Sequence, residues 1–277
     1  MALFTAVRRT ASVLALGLVP FALVDTAHAA PRVGATVAEK DGRLVYTAAP
    51  GVVNDVAVSV RWNTTQDKLV YLIDDAVRIK AGGPCIHPDE DDTTKVRCTL
   101  TPPDETDQKP VLNLKLGDRN DSVSLVDRTG KGEFFNTVAL GPGADRYKGS
   151  TTEIDRNLVL GHTGNDTIEA GAQAAVMSGD GNDRITLSGA DSAASAGPGD
   201  DEIRAGAGFQ HLIGGPGDDR IWGGAGNDQI FGEDGNDRLW GQGGNDLIRG
   251  DNGNDHIWGG KGDDVLRGGP GRNVVKQ

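Results

Sequence analysis

Aromatic side chains are scarce in this chain, since Phe, Trp and Tyr together make up 5% of its 277 residues. A conventional globular core needs more large apolar side chains than that. Glycine is abundant instead, with 41 residues, and the formal net charge is −12. This composition suits a disordered chain as well as an unusual fold, so periodicity has to decide between them.

Long hydrophobic runs are missing except near the N-terminus. There, two arginines at positions 8 and 9 precede an apolar stretch over residues 11–24, and residues 27–29 read Ala-His-Ala. This pattern predicts a signal peptide over residues 1–29, cleaved near Ala29, with an uncleaved anchor as the alternative. We therefore expect a secreted, extracellular protein with no membrane span in the mature chain.

Only two cysteines occur, Cys85 and Cys98. An even number of cysteines in an exported chain indicates one disulfide, with two free thiols as the alternative. A loop this short contributes about 3 kcal/mol in the chain-entropy model.

The motifs of common hydrolases are also absent. The sequence has no His-Glu-x-x-His and no Gly-x-Ser-x-Gly, and its histidines lack metal-ligand spacing. No basic patch offers a surface for nucleic acid. We therefore predict that the protein is not an enzyme and binds no nucleic acid. A carbohydrate-active β-helix enzyme with acidic residues in a groove is the alternative.

What the sequence does have is a period of nine residues from Ser178 onward. In the eleven units that begin at 178, 187 and every ninth residue to 268, position 4 is Gly in ten, and position 8 is a large aliphatic residue in ten. Position 6 is Asp in eight of these units. A flexible linker has no reason to keep an Ile or Leu at every ninth residue. The pattern instead predicts a turn and a short strand per unit, with position 8 inward.

The unit Gly223-Gly224-Ala225-Gly226-Asn227-Asp228-Gln229-Ile230-Phe231 resembles the haemolysin-type (repeats-in-toxin, RTX) calcium-binding nonapeptide. The resemblance covers roughly residues 161–276. It implies an all-β fold, a right-handed parallel β-roll with 18-residue coils of two units each, and several Ca²⁺ ions as cofactor. In that family, position-6 aspartates and backbone carbonyls of adjacent coils hold the ions. The implied metal ligands are Asp166, Asp183, Asp201, Asp219, Asp228, Asp237, Asp246, Asp255 and Asp264.

Oxygen-rich turns suit Ca²⁺ on chemical grounds as well, although a single aspartate can also merely cap its own turn. Because alternate units stack, the aspartates fall on two edges of the roll. One edge has Asp from 183 to 255 and then Asn273, whereas the other has Ser192 and Gln210 before its aspartates. We expect a long ion row on the first edge, a shorter one on the second, and a weakened last site at Asn273.

Upstream of residue 161 the pattern is weaker. Asp121 and Asp145 lie in partial echoes of the unit and are weaker ligand candidates. We predict degenerate solenoid coils over residues 111–160 and the calcium-binding β-roll over 161–277. Residues 30–110 form a β-rich N-terminal segment, either a small sandwich or an irregular first part of the solenoid.

Trp222, Trp240 and Trp258 recur every 18 residues at position 9. We predict that they stack on the outer face of one sheet, because position 8 points inward. Such a ladder stabilises a thin sheet. Alternatively, it forms a contact surface for cell-wall polysaccharide or a surface protein.

The sequence thus predicts an extracellular calcium-binding module whose repeats become rigid on binding Ca²⁺. The alternatives are an adhesive or cell-envelope protein that uses the Trp ladder, and the carbohydrate-active enzyme.

Overall fold

A computed structural model describes residues 33–103, 110–130, 135–150 and 154–277, so the predicted signal peptide lies outside the described residues. Within these ranges the chain forms 25 β-strands and no helix, and therefore no helix that could span a membrane. The first seven strands are β1 (Ala35–Lys40), β2 (Arg43–Ala48), β3 (Asp55–Trp62), β4 (Leu69–Asp74), β5 (Ile79–Ala81), β6 (Cys85–Ile86) and β7 (Lys95–Leu100). The others are β8 (Leu112–Lys115), β9 (Ser122–Asp127), β10 (Asn136–Pro142), β11 (Arg146–Lys148), β12 (Leu158–Thr163), β13 (Thr167–Ala170), β14 (Ala175–Asp180), β15 (Arg184–Leu187), β16 (Ser192–Ser195), β17 (Glu202–Ala205), β18 (Gln210–Pro216), β19 (Arg220–Ala225), β20 (Gln229–Asp234), β21 (Arg238–Gly243), β22 (Leu247–Asn252), β23 (His256–Lys261), β24 (Val265–Arg267) and β25 (Val274–Lys276).

These strands build two long sheets that face each other. The even-numbered strands from β8 to β24 pair in parallel in the first sheet, and the odd-numbered strands from β9 to β25 pair in parallel in the second. One strand from each sheet makes a coil. In the repeats the partners lie 18 residues apart, as in the alignment of Leu212 with Ile230. The predicted all-β parallel solenoid is therefore confirmed.

The core between the sheets is a ladder of position-8 side chains. Ile221 aligns with Leu239, which aligns with Ile257, and all three are fully buried. The prediction fails only at the last coil, where Val275 is 44% exposed. Each inner side chain is covered by the coils before and after it, and in this structure no coil packs beyond Val275.

The N-terminal segment is continuous with this stack. Strand β2 pairs in parallel with β8, and β3 pairs in parallel with β9, so residues 43–62 form a coil of the same solenoid. Antiparallel strands then extend both sheets at this end, with β1 on β2 and β4 on β3. The predicted disulfide joins Cys85 of β6 to Cys98 of β7, which face each other in the second sheet.

Glycine at position 4 has a steric cause. Gly217 has φ +144°, and a Cβ built on it would lie 1.9 Å from the carbonyl oxygen of Gly199 in the preceding coil. Only glycine tolerates this approach, so the turns stack with their position-4 carbonyls directly against the next coil.

Replacing Ile230 by Ala is expected to lower the free energy of unfolding by about 2–5 kcal/mol, because it opens a cavity in a ladder of one side chain per strand. Val275→Ala, at the exposed end, should change it by less than about 0.5 kcal/mol. Urea unfolding at saturating calcium measures both. Equal losses in the two variants would contradict the ladder as the core.

Candidate metal sites in the acidic turns

The position-6 aspartates lie where the chain passes from one sheet to the other. We call edge one the turns that lead from the first sheet to the second, and edge two the turns that lead back. On edge one an aspartate stands just before each second-sheet strand from β9 to β23, and its side chain is buried against the turn. The edge-one row consists of Asp121, Asp145, Asp166, Asp183, Asp201, Asp219, Asp237 and Asp255.

Hydrogen bonds link these aspartates from coil to coil. The backbone N–H of Asp219 donates to Oδ1 of Asp237, and the backbone N–H of Asp237 donates to Oδ1 of Asp255. The same bond recurs along the whole row, with N···O distances of 2.7 to 3.1 Å. Each carboxylate therefore uses one oxygen to fix the turn before it.

The second oxygen of each carboxylate has no such partner. Oδ2 is buried in every edge-one aspartate and accepts no hydrogen bond from the described residues. In Asp219 it lies close to Gly214, where a Cβ would come within 2.1 Å of it. In this turn position 1 is thus glycine because the carboxylate fills the space of a side chain. A buried carboxylate oxygen without a donor costs free energy, unless a proton or a cation neutralises it.

Burial raises the pKa of these carboxyl groups. The pKa of Asp219 rises to about 8, and those of Asp201 and Asp237 rise to about 7. Loss of hydration is the largest cause in all three, the neighbouring backbone N–H opposes it, and nearby aspartates add to it. These three carboxyl groups consequently bind a proton more readily than a free aspartate does when nothing else balances their charge.

A donor occupies the corresponding place in the last turn of edge two. The side-chain Nε2 of Gln277 donates to the carbonyl of Gly262 at 3.2 Å and to Oδ2 of Asp264 at 3.1 Å. These two oxygens belong to positions 4 and 6 of one turn, so they converge on a single positively polarised group. This convergence is the arrangement that a cation would require.

The donor set fits calcium better than a metal that prefers nitrogen or sulfur. Among the described residues, no group of three or more His, Cys, Asp or Glu side chains converges. A cation in these turns must therefore take most of its ligands from main-chain carbonyls. Ca²⁺ accepts such a set, because it binds about six to eight oxygens from carboxylates and carbonyls in a tolerant geometry.

Edge two divides into two parts. In its C-terminal part, the backbone N–H of Asp228 donates to Asp246, and that of Asp246 donates to Asp264, as on edge one. Further upstream, side chains supply their own donors. Gln210 is fully buried, and its Nε2 donates to the carbonyl of Gly189 at 2.8 Å, while Ser192 donates from Oγ to turn carbonyls. The structure thus brings all nine predicted aspartates into two stacked rows.

The three tryptophans stack as predicted. The ring centroids of Trp222 and Trp240 are 4.6 Å apart, those of Trp240 and Trp258 are 5.0 Å apart, and the ring planes are parallel within 4°. The guanidinium of Arg204 lies over the Trp222 ring, with its Cζ 4.2 Å from the ring centroid. The faces between neighbouring tryptophan rings, and the face of Trp222 that Arg204 contacts, are therefore covered within the column.

The comparison with known families agrees with this geometry. Residues 154–174, 177–209, 206–239, 213–248 and 240–275 match the family model described as RTX calcium-binding nonapeptide repeat (4 copies). The chain carries RTX calcium-binding repeats. The matched RTX segment contains all nine aspartates that the sequence predicted as ligands. No curated protein matches the chain.

Sequence reasoning missed several polar residues of the RTX turns. Asn54 was not recognised, because it does not lie at a repeat position that the local period reveals. Gln277 marked only the place where the repeat pattern is lost, and its contact with Asp264 was not predicted. Asp121 and Asp145 were only weak candidates, yet both stand in the edge-one row. The partial echoes of the repeat unit and the spacing of 24 residues between the two aspartates were the available signals.

The raised pKa values predict how the calcium-free protein responds to pH. Its carboxyls bind protons more tightly when folded than when unfolded, so folding takes up protons between about pH 4 and pH 8. The free energy of unfolding should therefore be larger near pH 5 than near pH 8 in EDTA. Far-UV circular dichroism in EDTA measures this, as a larger folded fraction at pH 5 than at pH 8.

Asp219→Asn should reduce that pH dependence, since the amide keeps an Oδ1 acceptor and cannot ionise. Asp218→Asn is the matched control, because this neighbouring side chain is exposed. A stability that rises steadily from pH 5 to pH 8 in EDTA would contradict the prediction.

Proposed function

We propose that this protein is a secreted calcium-binding module whose RTX repeats become rigid when Ca²⁺ occupies the acidic turns. The observation that carries the proposal is the row of buried Oδ2 atoms that accept no hydrogen bond from the part of the chain that the structure describes. The matched family is described as calcium-binding. The residues that would hold the ions are the nine aspartates of the repeats, together with the position-4 carbonyls stacked beside them.

Coupling between folding and metal binding follows from the charge of the rows. Neighbouring carboxylates one coil apart repel each other, and burial removes the water that would screen them. Bound Ca²⁺ would neutralise the pairs. A ligand that binds only the folded state stabilises it by mass action, and so extracellular calcium would drive the repeats to fold. A chain that is loose before export and rigid outside the cell is consistent with the predicted signal peptide and with the Cys85–Cys98 disulfide.

We also propose that the module acts by binding and by its rigid shape, and not by catalysis. Calcium in these turns would supply charge neutralisation alone. The chain's own residues order the stack, because each Oδ1 holds the backbone of the preceding coil and each Ile or Leu fills the space between the sheets.

Calcium titration followed by far-UV circular dichroism tests the proposal. The wild-type protein should gain β-sheet signal as calcium is added and lose it with EDTA. Asp219→Asn should shift the midpoint to about tenfold higher calcium, the change produced by losing about 1.4 kcal/mol of binding free energy.

Asp218→Asn is again the matched control, since it removes one exposed charge one residue away and Asn already stands at this position in five other edge-one coils, at 120, 165, 182, 236 and 254. Its midpoint should stay near that of the wild type. Absence of any calcium-dependent signal in the wild type, together with calorimetry that detects no calcium binding, would overturn the proposed function.

The adhesive alternative has less structural support. A sugar ring stacks on the face of an aromatic ring, and these faces are covered within the Trp ladder. We expect the wild type and a triple Trp222, Trp240 and Trp258→Ala variant to bind isolated cell-wall polysaccharide equally weakly in a pull-down at saturating calcium. Binding that only the wild type retains would favour adhesion, and turnover of the polysaccharide would favour the enzyme.

A further inference from the structure

The edge-one row continues upstream of the segment that matches the RTX repeat. The backbone N–H of Asp145 donates to Oδ1 of Asp166 at 2.9 Å, and the backbone N–H of Asp121 donates to Oδ1 of Asp145 at 2.7 Å. These bonds repeat the geometry of the RTX turns, although the matched segment begins at residue 154.

The backbone of the turns is the same in these upstream coils. A Cβ on Gly164 would lie 1.6 Å from the carbonyl oxygen of Gly143, and a Cβ on Gly143 would lie 1.7 Å from that of Arg119. The stack of position-4 carbonyls therefore extends to Arg119. The outer side of the turn also agrees, because the backbone N–H of Ala144 donates to Oδ1 of Asn120 at 3.0 Å, as position-5 residues do in the repeats.

The upstream carboxylates also have a buried oxygen that lacks a hydrogen-bond donor. Asp121 is 2% exposed and Asp145 is 1% exposed, and Oδ2 of each accepts no hydrogen bond from the described residues. Another buried carboxylate in these coils behaves differently. On edge two, Asp155 accepts from the hydroxyl of Tyr147, the amide of Asn157 and the backbone N–H of Gly171. Both oxygens of Asp155 are thus satisfied by donors of the protein itself, and this aspartate needs no cation.

The row ends at Asn54. Its backbone N–H and its Nδ2 both donate to Oδ1 of Asp121, at 2.7 and 3.1 Å. The same Nδ2 donates to the carbonyls of Val52 and Leu116, at 3.3 and 3.4 Å. An amide therefore contacts the carboxylate and the turn carbonyls of this coil, so the row closes without a further ion.

We propose that two additional calcium sites lie outside the matched repeats, one between the turns of Asp145 and Asp166 and one between those of Asp121 and Asp145. The inference rests on the proposed calcium binding and extends the edge-one row to its closure at Asn54. Position 1 of these two turns is Leu116 or Leu140, both buried, whereas the edge-one turns of the repeats have Gly, Ser178 or Ala196 there. A leucine is larger than any of these residues, so we expect the two sites to fill at higher calcium than the repeats.

A crystal structure of the wild-type chain grown in excess calcium decides the matter directly. We expect anomalous density at both upstream places as well as in the repeats. Water at the two upstream places, with ions along the repeats, would overturn this inference and leave the proposed function intact. Density nowhere in the chain would instead count against calcium binding as a whole.

Equilibrium dialysis with radioactive calcium gives an independent measurement. Asp145→Asn should lower saturation by about two ions per chain, because this carboxylate borders both sites and each needs several oxygens. Asp118→Asn removes a half-exposed carboxylate from the same stack, and its saturation should match the wild type. Unchanged saturation in a folded Asp145→Asn protein would contradict the proposal, and if this variant does not fold, the wild-type crystal structure still decides.

Discussion

A buried carboxylate oxygen that no donor of the described residues reaches is the constraint on which this fold depends. Each position-6 aspartate fixes the preceding coil through Oδ1, and all but Asp264 leave Oδ2 inside the turn without a partner among the described residues. The residues allowed at positions 1 and 4 of the turn depend on the close packing of these oxygen atoms. From Gly214 to Gly259 position 1 is glycine, where a Cβ would meet Oδ2, and position 4 is glycine because a Cβ would meet the carbonyl of the preceding coil. The stack is thus shaped around oxygen atoms that need positive charge.

The two ends of the solenoid meet their stability requirements in different ways. Near the N-terminus the interior holds Tyr46, Tyr71 and Tyr147, all buried, and a disulfide ties β6 to β7. In the repeats the interior holds one Ile or Leu per strand, and each coil contacts mainly its neighbours. Apolar burial per coil is therefore small in the repeats, and the electrostatics of the edges weighs more there than in the N-terminal coils.

Much of the repeat region was predictable from sequence, because its period is strict. The inward Ile and Leu, the two aspartate rows and the stacked tryptophans all follow from positions 6, 8 and 9 of an 18-residue coil. The first coil was not predictable, since 67 residues separate Asn54 from Asp121, its partner in the next coil. Strands β4 to β7 occupy that interval, so no local period relates β3 to β9, and only the tertiary pairing brings them together.

The side chains at the ends of the rows explain why the rows are finite. Asn54 precedes the first aspartate of edge one and Asn273 follows the last, while Gln210 precedes the first aspartate of edge two. A carboxamide at position 6 keeps an acceptor, since the N–H of Asp255 donates to Oδ1 of Asn273 at 2.7 Å. Its nitrogen then takes the place of the second oxygen.

That nitrogen donates to turn carbonyls, as Nδ2 of Asn273 does to Gly269 and Nε2 of Gln210 does to Gly189. A turn with a carboxamide therefore satisfies its own carbonyls, whereas a turn with a carboxylate adds one more acceptor and requires an external charge. Replacing one carboxylate oxygen by an NH₂ group at position 6 therefore converts a turn that requires an external charge into a turn that does not. The length of each row is set by where this exchange occurs in the sequence, and the coils can stack beyond it without a cation.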